Sequence, residues 1–122
     1  MLLASIILFT GCTKPAGSMD IKADDVSIFY GVSSYAMFSK DQAVIDDLLE
    51  RLSSLSFEKT SEEMDLISAF SVHFAYEGKS VKSFTVDKNG IFWLDGETQA
   101  LKPADCSFDY NHLKEIYESS KK

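Results

Sequence analysis

From Phe70 to Lys102 the chain is cut by three short turn sequences, Glu77-Gly78, Asn89-Gly90 and Asp95-Gly96. The segments between them suit strands better than helices. Phe70, Val72, Phe74 and Tyr76 alternate with smaller or polar residues, so they share one face of a strand. Val81–Val86 forms a second strand, with Phe84 and Val86 pointing inward. Asn-Gly accepts positive φ and makes Asp87–Gly90 a hairpin turn. Ile91–Leu94 is apolar on both faces and reads as a third strand in a central or covered position. Glu97–Lys102 reads as an edge strand stopped by Pro103. Turns this short join antiparallel neighbours, so the region is expected to be a meander.

Further elements flank it on both sides in the chain. Val26–Val32 is β-branched and aromatic and predicts a strand, with Gly31 marking a bulge or its end. Ser33–Phe38 either extends that strand or forms a loop. Ser39 and Gln42 have capping-box spacing. Behind them Val44, Ile45, Leu48, Leu49, Leu52 and Leu55 make one apolar stripe, predicting a helix over about 40–54. Phe57 begins a short strand or a loop. Asp109 caps a last helix bearing Leu113, Ile116 and Tyr117. The expected fold is a two-layer α+β domain over residues 23–122. It consists of an antiparallel meander of four to five strands packed on a long helix, with a C-terminal helix. Periodicity puts Phe29, Phe74, Phe84, Trp93 and Tyr117 in the core. Tyr30, Tyr35, Phe38, Phe92 and Tyr110 are harder to place.

Charge narrows the partners. The chain of 122 residues carries a formal charge of −7 with a pI near 4.7. Such a surface repels phosphate backbones and anionic headgroups, which argues against nucleic acid and against a basic membrane patch.

The N-terminus supplies another route to a membrane. Leu2–Phe9 is an uncharged apolar run, too short to span a bilayer, and Thr10-Gly11-Cys12 follows at once. Phe9-Thr10-Gly11-Cys12 resembles the lipobox of bacterial lipoproteins, with Phe9 in place of the usual Leu and no Lys or Arg before the apolar run. The resemblance covers about a tenth of the chain. It implies a signal peptide over 1–11, cleavage before Cys12, and a diacylglyceryl group on the Cys12 thiol. Two acyl chains suffice for stable anchoring where one holds marginally. Residues 12–22, in which Pro15, Gly17 and Ser18 oppose regular structure, then read as a tether with a reach of about 17 Å. The expectation is a lipid-anchored protein on the extracytoplasmic face of the cell membrane.

Catalytic signals are weak. His73 falls on the strand face opposite Phe70, Val72 and Phe74, and His112 sits among polar residues of the last helix. Each reads more simply as a surface or structural histidine than as a base or ligand. Cys106 would need hydrogen-bond reach to one of them and a lowered thiol pKa to act as a nucleophile. Asp24-Asp25 and Asp46-Asp47 lack calcium-loop spacing and read as solvated faces. No glycine-rich phosphate loop, GxSxG or HExxH is present, so no cofactor or metal is expected and no catalytic residue is assigned. The leading expectation is a non-enzymatic domain presenting a sheet face or edge to an envelope protein or cell-wall ligand. A small hydrolase or metal-dependent enzyme using His73 or His112 is the alternative.

Overall fold

The structure, a computed structural model, describes residues 21–104 and 108–120. Cys12, Cys106 and the proposed signal peptide lie outside them. The domain is α+β: a seven-stranded antiparallel sheet with two helices. In chain order the elements are β1 (Asp25–Tyr30), β2 (Ala36–Ser39), α1 (Gln42–Ser53), β3 (Phe57–Lys59), β4 (Phe70–Tyr76), β5 (Lys79–Val86), β6 (Phe92–Leu94), β7 (Leu101–Pro103) and α2 (Tyr110–Ser119). Across the sheet they run β2-β1-β4-β5-β6-β7-β3.

The expected meander is the middle of this sheet, β4 to β7, but the sheet is larger than four or five strands. Ser33–Phe38 resolves into a loop and a second hairpin arm, with Ile28 opposite Met37. The segment at Phe57 becomes β3, which pairs with β7 and leaves β7 internal rather than at an edge. Pro103 is tolerated there at the strand's last position, opposite Phe57.

Turn chemistry fixes the register. Glu77 and Gly78 both take positive φ, 51° and 83°, as a two-residue hairpin loop between Tyr76 and Lys79 requires. At the β5–β6 turn the fully buried Asp87 does more than its place in a hairpin suggests. One carboxylate oxygen accepts from the amides of Asn89 and Ile91, both at 2.9 Å. The other accepts from the Asp65 amide at 2.8 Å, tying the β3–β4 loop to this turn.

Helix α1 is shorter than expected, at 12 residues, and its cap differs. Ser39 remains in β2, paired with Val26, so the helix starts later. Asp41 is the N-cap and accepts from the Ala43 amide at 3.0 Å. The Gln42 side chain turns to the Ala23 carbonyl and Asp46 instead of back to Ser39. Asp109 caps α2 as expected, accepting from the His112 amide.

Both helices cover one sheet face. Ile45, Leu48 and Leu52 of α1 and Leu113 and Tyr117 of α2 join Val26, Ile28, Phe70, Val72, Phe74, Phe84, Val86 and Phe92 in a single core. The Tyr117 hydroxyl inside it donates to the Tyr35 carbonyl at 2.8 Å, meeting the requirement that a buried phenol be bonded. Phe74, Phe84 and Tyr117 are core residues as expected. Phe29 and Trp93 are not. Ile28 and Phe92 take the inward positions, and strand parity sends their neighbours to the other face.

Candidate functional site: the uncovered sheet face

Among the described residues no element of regular structure lies over the face turned away from the helices. Register places its residues in rows. One runs Ala36, Phe29, Ser71, Thr85, Trp93 from β2 to β6, and the next runs Phe38, Ser27, His73, Ser83. None of these nine residues is charged, in a chain where a quarter of all residues are. A solvated sheet face ordinarily alternates with charged or polar side chains. In these two rows the polar share consists of Ser, Thr and His only, and charge enters the face at its margins, with Asp25 on β1 and the Glu58–Lys102 pair on β3 and β7.

Two apolar clusters occupy the face. Phe29 packs edge-on between Phe38, with ring centroids 6.1 Å apart, and His73, at 5.5 Å. Phe29 and Phe38 nevertheless remain 43% and 67% exposed. On β6, Trp93 is 43% exposed and lines a shallow recess of about 350 Å³ with Met64, Leu66 and Thr85. Its indole N–H donates to the Glu97 carbonyl at 3.1 Å, which fixes the ring's orientation. Between the clusters the Ser71 and Thr85 hydroxyls bond each other at 3.1 Å. The three large rings together leave about 300 Å² of aromatic surface in water, in two clusters parted by the Ser71–Thr85 pair. A functional reading of this face is therefore warranted where single exposed hydrophobes would need none.

A second concavity, about 860 Å³, opens beside the N-terminus of α2, between Tyr30, Ser68, Lys88, Tyr110 and Lys114. Tyr110 donates to the Ser68 carbonyl. Burial, then the neighbouring Tyr30 phenol, pushes its pKa up to about 12, so it stays a neutral donor at physiological pH. Asp65 and Asp109 at the rim already accept from the Ile67 and His112 amides. The lining thus mixes donors and acceptors with no net sign.

The two histidines are far apart in role. His73 is exposed on the open face against Phe29. His112 bridges the helices, its Nε2 2.7 Å from Asp47 Oδ2, while Arg51 Nε donates to Asp47 Oδ1 at 3.0 Å. Burial alone would raise the Asp47 pKa, but the hydrogen bonds and charges of His112 and Arg51 outweigh it and hold the carboxyl below its usual value. Neither histidine lines the large cleft. Asp46 points elsewhere, to Gln42, and Asp24 accepts from the Glu77 amide. Among the described residues no three His, Cys, Asp or Glu side chains are grouped as metal ligands, and no helix is long and apolar enough to cross a membrane. Comparison with protein-family models, with curated proteins and with solved structures returns no match for this chain.

The open face was partly legible in the sequence. Alternation puts Ser71 and His73 on the side of β4 opposite Phe70, Val72 and Phe74, and Ser83 and Thr85 opposite Phe84 and Val86, whereas Phe29 and Trp93 were assigned to the core. Met64 and Leu66 were not legible, because only the fold of the β3–β4 loop carries them there.

Proposed function

We propose that this chain is a lipid-anchored envelope protein whose domain is a binding module, with the uncovered sheet face as the surface that meets a protein partner. The observation that carries the reading is the pair of uncharged rows across the middle of that face, with Phe29, Phe38 and Trp93 exposed on them in an acidic chain. Aromatic residues and depleted charge are the compositional marks of an interface core. The proposed lipid on Cys12 holds the module at the membrane, and residues 13–22 give it room to orient.

Site-specific photo-crosslinking in intact cells tests the reading. A crosslinking residue in place of Phe29 or Trp93 is expected to give a discrete higher-mass product. The same residue in place of the exposed Glu115 on α2 is expected to give none. Equal products from both sides, or none from the sheet face, would overturn it.

A further inference from the structure

The two edges of the sheet are built differently. The outer strand β3 is protected in the usual way, because Glu58 and Lys59 are exposed and charged and Glu58 lies opposite Lys102. The other outer strand, β2, reads Ala-Met-Phe-Ser, and the whole stretch Gly31–Phe38 carries no charge. No described strand pairs with its free side. In an antiparallel pair alternate residues turn their N–H and C=O groups away from the neighbour. Two of the four residues of β2 thus offer a ladder to an incoming chain. Phe38, the most exposed ring of the open face, stands on this strand.

The ends of β2 differ in charge. Beyond Ser39 lie Asp25, Asp41 and Asp46, with Lys40 already paired to Asp25 at 3.5 Å. At the other end, Ser33 to Tyr35 are neutral. A second copy of this chain would bring a further −7 charge alongside. A partner with basic residues at that end meets the opposite sign.

We infer that β2 is the entry point for a partner protein's extended segment. The segment adds a strand beside Ala36–Ser39, lays apolar side chains over Phe38 and Phe29, and places basic residues against the acidic cluster beyond Ser39. This is strand addition, in which backbone hydrogen bonds give affinity and alternate side chains give specificity. It rests on the reading of the open face as a binding surface and names the kind of partner that surface takes.

The test uses the full chain in detergent and short capped peptides alternating Thr with Val and Phe, with a Lys pair at either end, and a control carrying a Glu pair. Amide hydrogen exchange is followed residue by residue. Slowed exchange at β2 with one Lys peptide, weakened by added salt and absent with the Glu peptide, is the expected result. Phe38→Lys is expected to reduce binding about tenfold or more, from the lost burial of one large ring. The milder Phe38→Ser should act in the same direction should the Lys variant fold poorly. Glu115→Gln on α2, away from both sheet edges, should leave affinity unchanged. Lack of protection at β2 with every peptide up to about 1 mM, the weak end of specific binding, would overturn the inference. So would equal protection at β3. Crosslinks at Phe29 or Trp93 that persist under either outcome leave the open face standing as an interface and remove only the strand-addition mode.

Discussion

Single residues carry more of this fold than their types suggest. Gly31 ends β1 at φ 42°, and a Cβ there would lie 2.1 Å from the Ile67 carbonyl oxygen. Any side chain forces the β3–β4 loop away from the strand end, where the Gly31 amide bonds Ala69 at 2.7 Å. Gly31→Ala is expected to cost about 1–3 kcal/mol, as overpacking does. For a domain of this size that lowers Tm by about 5–20 °C, and an unchanged melting curve would contradict the close approach. Asp87 is the second such residue. Asp87→Ala strands three amide donors in a buried site, and about 3 kcal/mol or more should disappear from the unfolding free energy measured by denaturant titration. Asp87→Asn keeps one acceptor oxygen and should fall between the two. Sequence pattern identified Asp87–Gly90 as a turn but not Asp87 as a buried hub, because its third partner, Asp65, is 22 residues away.

At the scale of elements, local pattern was read well and non-local pairing poorly. The strands β4 and β5 and the stripe of α1 were legible because alternation and 3.6-residue spacing are properties of the segment itself. The place of β3 beside β7 was not, since nothing in Phe57–Lys59 names its partner. Nor was the late start of α1. Ser39 and Gln42 have capping-box spacing, but pairing of Ser39 with Val26 in the sheet overrides it. The helix pair offers a test of its own. Asp47 on α1 receives His112 of α2 and Arg51, and its pKa is lowered on folding. A carboxyl whose folded pKa lies below its unfolded value stabilises the fold above about pH 4. That contribution is lost as pH falls through the folded pKa. The side chain is 38% exposed, so solvent screening limits the effect to about 0.5–1 kcal/mol. Asp47→Asn should therefore be less stable than the parent at neutral pH, and the two stability curves should converge in acid. A gap that stays constant from about pH 7 to about pH 2 would show that the carboxylate's charge contributes nothing.

For the whole molecule, the α+β class followed from the order of periodicities, whereas the open face needed the register. Its parity depends on which of Phe92 and Trp93 points inward, and both are apolar, so composition alone could not decide. Charge and anchoring can be separated by experiment at this scale. A chain of −7 gains nothing from anionic headgroups, so the proposed attachment depends on acyl chains alone. Washing membranes with about 1 M salt, where the screening length falls to about 3 Å, should release none of the protein. Cys12→Ser should move it to the soluble fraction or leave it as an uncleaved precursor, with the domain still folded by circular dichroism. A Cys12→Ser protein of mature size that remained with membranes through the salt wash would mean that the sheet face or another surface holds it there, and the division of labour between anchor and binding module would fail.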